Sequence, residues 1–485
     1  MYNSTQNTKS LMTLDAVVHA VEGRVLSKES ANAAFCFTSV ATDSRNCVEN
    51  SLFIPLIGSA DGHDFIEKAC DNGARTVFVT DFYSGFHSSD IRSLSDAGIC
   101  VISVSHTMYA LQKLAAAFLE SFTSLKKIGI TGSSGKTTTK EILVSLLSQK
   151  YAVVCNQGNL NSETGLPLSV FAVNSSHQYG VFEMGMNRKG EIGELALVLK
   201  PHYGVITNIG SAHIGILGTK DAIAEEKKRI FSYFTKDCAA VIPSGDEYAE
   251  FLAQGCKGTV SYYGDYSDIG ITDVKDEGLS GTSFLFQNEK INFPLPGIYN
   301  FTNALAAITV ALKEGLSVQE IKKGLESIKP LFGRSEVLSG LITVIQDCYN
   351  ANPDSMYASL SFFESLSWKG NKWYFLADML ELGDGSEAAH REVGKYLSSS
   401  SAQGCFLLGK EMSYAYEELT AAKNTNVHYA KGDDEGETVK LIDKICSIVK
   451  KDDIVLIKGS RGMKLERVTE KLAAIFKLPV QGGIH

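Results

Sequence analysis

The feature that most constrains this chain is the run Gly129-Ile-Thr-Gly-Ser-Ser-Gly-Lys-Thr-Thr-Thr-Lys140. Residues 126–131 read as a buried strand, and residues 138–147 as the helix that follows the glycine turn. Backbone N–H groups in such a turn point inward and can cradle phosphate oxygens. Gly132 and Gly135 permit the tight turn and the close backbone approach. Ser133, Ser134 and Thr138 complete the loop; Lys136 can reach the β- and γ-phosphates, and the Thr137 hydroxyl can bind magnesium. Ile130 stands where the general GxxxxGK[ST] pattern has its first glycine, so GxxGKT is what remains. The bland alternative is a glycine turn with an exposed lysine; the order strand, loop, Gly-Lys-Thr, helix weighs against it. The loop says nucleotide without saying which reaction.

Strands alternate with helices on both sides of the loop, which predicts α/β architecture. Buried strands are expected at 75–80, 100–104, 179–183, 203–207, 239–242, 342–346, 372–376, 405–408 and 453–457, with helices near 108–122 and 303–313. A chain of 485 residues exceeds one core, and linkers near 122 and 332 divide it into 1–122, 123–332 and 333–485. A net charge of -9 gives no general reason to bind nucleic acid or an anionic membrane. Ten cysteines contain no CxxC pair, so neither a zinc ribbon nor a redox motif is signalled, and free thiols suit a reducing cytoplasm. The first residues lack a secretory pattern, and no apolar run is long enough to span a bilayer. A cytoplasmic enzyme without membrane insertion, monomeric, is the expectation.

Other candidates are weak one at a time. Glu183 closes a strand, where α/β folds place ligands, but a lone strand-end Glu is more often solvated or capping. His213 also follows a strand end, and a lone His is usually structural. Lys227 lies in a charged helix whose periodicity alone reads as a solvated face. Asp347 at a strand end could equally cap a turn, and Asn350 and Asn352 with Pro353 have the composition of an ordinary one.

Together these segments resemble the Mur ligase family, which builds peptidoglycan precursors for cell wall, shape and division. TGSSGKTTTK is similar to its ATP loop, FEMGMNRKGEI to its magnesium-glutamate segment, and NIGSAHIGILGTKDAIAEEKKRIF to its His-to-Lys segment. PGIYNFTN resembles the adenine-contact motif, although Tyr299 stands where a His is common. GRSE at 333–336 and QDCYNANPDSM at 346–356 resemble the opening of the last domain. The resemblance implies three domains: an N-terminal α/β domain for a UDP-linked substrate, with TDSR (Ser44 and Arg45) as its signature; a central P-loop ATPase-like parallel-sheet domain; and a C-terminal Rossmann-like domain that brings the acceptor. It implies that Thr137 and Glu183 hold one Mg2+, and that Glu183, His213 and Lys227 hold a second, Lys227 as N6-carboxylysine. It assigns Asn303 to adenine, Arg334 to phosphate, Asp347 to ribose, and Asn159, Asn161, Asn350, Asn352, Lys458, Ser460 and Arg461 to substrates. The resemblance of YNANPDSM, DMLELG at 378–383 and KGSR at 458–461 to segments of the family implies UDP-N-acetylmuramoyl-tripeptide as donor and D-alanyl-D-alanine as acceptor.

The chemistry explains the residue types. A carboxylate is a poor electrophile; phosphoryl transfer from ATP makes it an acyl phosphate with a good leaving group. The two reacting anions repel, which Lys136 and magnesium offset. An ammonium cannot ligate magnesium, whereas a carbamate is a hard anionic oxygen donor. Three competitors stay open: a Mur ligase that adds a single amino acid, a folylpolyglutamate synthetase-like ligase, and a P-loop kinase or nucleotide switch. TDSR and YNANPDSM argue against the folate enzyme; an amine-dependent release of phosphate would exclude the kinase or switch.

Overall fold

A computed structural model describes residues 10–33 and 35–479. Three α/β units follow one another along the chain. In the first, strands Ser39–Ala41, Ser51–Phe53, Ala74–Thr80 and Cys100–Val104 run parallel in that spatial order, and Arg24–Val25 pairs antiparallel at the edge. Helix Thr107–Glu120 leads into the second unit.

The second unit holds six parallel strands in the order Thr259–Tyr263, Ala239–Pro243, Tyr203–Ile206, Lys126–Thr131, Tyr179–Glu183, Val153–Cys155. Lys126–Thr131 is central, and all but its first residue are buried. That is why this segment is an apolar run and not an alternating one. The chain leaves it toward one edge and later crosses to its other side, so its carboxyl end lies at a switch point, where such sheets bind ligands. Glu314 sits near the opposite end of this strand, accepting hydrogen bonds from Lys126 and the hydroxyls of Tyr179 and Tyr203. Helix Lys136–Leu147 starts two residues before the expected 138, because Gly135, at φ 79°, is the last residue outside it. Helix Ile298–Lys313 starts at 298 instead of 303, since the break is Gly297 at φ 87°.

The antiparallel sheet Ile271–Asp276, Thr282–Phe286, Glu289–Phe293 was not among the expected strands. Its inward Ile271, Phe284, Phe286, Ile291 and Phe293 pack with helix Ile298–Lys313.

The third unit is a six-stranded sheet. Glu336–Ser339 is an antiparallel edge, and Thr343–Asp347, Ile454–Lys458, Lys372–Ala377, Gly404–Leu408 and Val427–Ala430 run parallel. Parallel register sets Asp347 directly beside Lys458 at the carboxyl ends of adjacent strands. Among the described residues no helix is long and apolar enough to cross a membrane.

Candidate active site

The phosphate loop is folded by its own side chains. Ser133 Oγ donates to the Gly210 carbonyl (3.1 Å) and accepts from the Gly210 N–H (2.8 Å). The Ser134 N–H donates to Asn208 Oδ1 (3.1 Å), and Thr207 Oγ1 donates to the Ser134 carbonyl (2.5 Å). Gly132, at φ 151°, lies so close to Thr207 that a Cβ there would stand 1.7 Å from Thr207 Oγ1. Lys136 Nζ donates to the Gly132 carbonyl (2.9 Å) across the loop. Burial lowers the pKa of Lys136; Glu183 partly opposes this.

Glu183 is held at both oxygens. Thr137 Oγ1 donates to Oε2 (2.6 Å) and Asn161 Nδ2 to Oε1 (2.7 Å). Its backbone is gripped by Asn156, which accepts from the Glu183 N–H (2.9 Å) and donates to the Glu183 carbonyl (3.0 Å). Buried Lys140 holds Asn156 in turn, through the carbonyl (2.8 Å). Asn156 and Lys140 were missed from sequence; Lys140 belongs to the loop motif, but nothing in its spacing tells a buried ammonium from an exposed one. Two buried carboxylates shape the loop after Glu183: Glu226 accepts from the N–H groups of Gly190 and Ile192, and Glu191 from those of Glu163 and Asn187.

His213 has a left-handed backbone (φ 63°), uncommon for a residue with a Cβ. Its Nδ1 lies 2.8 Å from Glu381 Oε2 of the third unit, and this contact leads the causes that lower the pKa of Glu381. Lys227 is 1% exposed, and no hydrogen bond or ion pair to it occurs among the described residues. Burial pushes its pKa far below the ordinary lysine value, favouring the neutral amine. No cluster of three His, Cys, Asp or Glu occurs among the described residues. A metal here would have to draw on Thr137 and Lys227 as well as Glu183 and His213.

A cavity of about 1060 Å³ opens between the second and third units. The loop residues Ser133 to Thr138, Asn161, Glu183, His213 and Asn303 line one wall, and Arg334, Asp347, Asn350, Asn352 and Lys458 line the other. Asn303 lies against Gly135, whose added Cβ would be 2.3 Å from Asn303 Oδ1. Arg334 stacks over the Tyr349 ring (4.1 Å). Tyr299, half-buried on the cavity wall, shares a hydrogen bond of 2.7 Å with Ser335 Oγ across the two units. Asn352 caps helix Pro353–Ser365, accepting from the Ser355 N–H (2.9 Å), and its Nδ2 donates to Ser134 Oγ (3.1 Å). Its amide is thus spent on a cap and on the phosphate loop. Ser460 is buried, accepting from the Leu380 N–H (2.9 Å), while Arg461 stays exposed beside Phe332. Asn159 is exposed in the loop before Asn161. Ser44 and Arg45 lie outside this cleft, in the first unit: Ser44 is buried and Arg45 is paired with Asp43.

The units also meet directly. Asp354 Oδ2 accepts from the Ser211 N–H (2.6 Å), and the Gly215 N–H donates to the Glu381 carbonyl (3.1 Å). A Cβ on Gly215 would come within 2.5 Å of the Gly383 nitrogen. Asp354, Glu381 and Gly215 were not singled out from sequence, because each acts across a joint between segments remote in the chain.

Comparison with known proteins agrees with this arrangement. Residues 130–311 match the model of the Mur ligase middle domain, and 333–461 that of the Mur ligase glutamate ligase domain. The UDP-N-acetylmuramoyl-tripeptide–D-alanyl-D-alanine ligase of Treponema pallidum is 43% identical over 94% of this chain and 98% of its own length. The Bacillus subtilis ligase of the same description is 36% identical over 89% and 92%. A crystal structure of MurF from Acinetobacter baumannii superposes with a TM-score of 0.84 at 29% identity, covering 95% of this chain and 98% of its own. MurF ligase from Thermotoga maritima in complex with ADP gives 0.75 at 29%, over 90% and 98%. A phosphate loop at a sheet switch point, a clamped acid behind it and a third α/β unit closing the cleft therefore come with matching sequence along nearly the whole length, and the chain belongs to the Mur ligase family.

Proposed function

We propose that this protein joins D-alanyl-D-alanine to the terminal carboxylate of UDP-N-acetylmuramoyl-tripeptide, using ATP and releasing ADP and phosphate. The observation that carries the reading is the shared cleft: phosphate-loop and acid-bearing groups face nucleotide-type groups of the third unit across one cavity. The reading takes 1–122 as the UDP-substrate domain, 123–332 as the ATP domain and 333–485 as the acceptor domain, in the cytoplasm. The loop amides and Lys136 hold the phosphates. As the γ-phosphoryl group passes to the peptide carboxylate, Lys136 and Arg334 balance charge on its oxygens. The acceptor's uncharged amine then attacks the acyl phosphate carbon; a tetrahedral adduct collapses, the amide forms and phosphate leaves. Exposed Asn350 and Arg461 are where an acceptor carboxylate and amide would find donors.

Thr137 and Glu183 would hold one Mg2+, and Glu183, His213 and carboxylated Lys227 a second. Bound Mg2+ supplies Lewis-acid stabilisation of phosphoryl charge. The fit rests on Glu183, whose two oxygens are aimed and fixed, and on Lys227, whose burial favours the uncharged amine that adds to CO2 to give a carbamate and a proton. Phosphate release from purified protein tests the function, given ATP, UDP-N-acetylmuramoyl-tripeptide and a panel of acceptors. D-alanyl-D-alanine should be used far better than D-alanine, L-lysine, diaminopimelate or D-glutamate. A single amino acid as the better acceptor would make this another member of the family.

A further inference from the structure

Lys458 lies in a segment that resembles the dipeptide-specific part of the family, yet its ammonium is bonded to Asp347. It is 1% exposed, and its one hydrogen bond among the described residues is to Asp347 Oδ2, at 2.7 Å. Parallel register sets the two residues side by side, and side chains so paired leave the sheet on the same face. Asp347 Oδ2 also accepts from the Ser359 hydroxyl (2.6 Å). Among the described residues Oδ1 accepts only the Ser335 N–H (3.2 Å), which leaves this oxygen with spare capacity toward the cavity. Two short bonds therefore fix one carboxylate oxygen and present the other. Charge points the same way: an unpaired carboxylate would repel a nucleotide carrying several negative charges, and the ammonium cancels it.

We infer that Lys458, with Ser359, is a positioning residue of the nucleotide site that aims Asp347 at the ribose hydroxyls, and not a group that binds the acceptor. This rests on the reading above that Asp347 meets ribose.

The test compares ADP with 2′,3′-dideoxy-ADP by calorimetry on the full-length protein, alongside the KM for D-alanyl-D-alanine. Wild type should prefer ADP by about tenfold or more, as expected for hydrogen bonds to a charged acceptor. Lys458→Met should bring that ratio near one while the acceptor KM stays within about twofold of wild type. Ser359→Ala should lower the ratio in part, and it carries the test if Lys458→Met does not fold. A ratio unchanged in the folded variants would reduce the pair to packing and overturn the inference. A raised acceptor KM at a constant ratio would return Lys458 to the acceptor. No preference in wild type would instead remove Asp347 from the ribose, a separate failure.

Discussion

Replacing Lys227 by Met should make the substrate-free protein more stable and its catalysis worse. The side chain is fully enclosed, and its amine finds no hydrogen-bond partner among the described residues. Burying an amine without a partner costs about 1–3 kcal/mol. Methionine has nearly the same length and fills the space with a thioether that needs no partner. The gain should be about 2 kcal/mol, or about 4–8 °C in the unfolding midpoint of a unit of this size. The assay is thermal unfolding in CO2-free buffer without nucleotide, paired with phosphate release in bicarbonate. The wild type should gain stability when bicarbonate and Mg2+ are added, and Lys227→Met should not. A destabilised variant under CO2-free conditions would refute the reasoning, because the amine would then have a partner worth keeping. Full activity would refute the carbamate.

Lys136→Ala should abolish phosphate release with the fold intact; near-normal turnover would remove the loop assignment. Gly132→Ala places a Cβ 1.7 Å from Thr207 Oγ1, so ADP binding by calorimetry should be lost, and retained affinity would show that the loop yields. Asp354→Ala removes the carboxylate that accepts the Ser211 N–H. Turnover should fall about tenfold, the low end for a hydrogen bond to a charged group, with ADP affinity little changed; equal losses in both would place Asp354 in nucleotide binding. For Glu314, burial pushes the carboxyl up, but hydrogen bonds from Lys126, Tyr179 and Tyr203 outweigh it and hold the pKa below its ordinary 4.5. The stability it contributes is then full above pH 4.5 and is lost as pH falls through the lowered value. Unfolding curves of wild type and Glu314→Gln should converge on acidification, and a gap constant with pH would contradict the ion pair.

What could be read before the fold was known follows a physical pattern. The strand Lys126–Thr131 was legible because burial on both faces writes an unbroken apolar run, and Lys136 and Thr137 because a loop that wraps phosphate must be built in one stretch of chain. The sheet Ile271–Asp276, Thr282–Phe286, Glu289–Phe293 was not, since its strands are short, its first strand is mostly exposed and carries a bulge, and only the middle one is largely buried. Lys227 shows a sharper limit. In sequence it sits among charges, and only the packing of its helix reveals which of those charges faces inward. Asn352 was read for chemistry in a position where its first duty is a helix cap. Lys458 was read by motif, and only sheet register identified its neighbour.

The approach of Gly215 to Gly383 bears on inhibition. At this joint the main chains of the two units come together, beside the side-chain contact of His213 with Glu381. A compound wedged there would hold the cleft open without resembling nucleotide or peptide, so rising substrate could not displace it by direct competition. Resistance by substitution at the contact would be self-defeating, because any replacement of Gly215 puts carbon within 2.5 Å of the opposing backbone and so installs the wedge permanently.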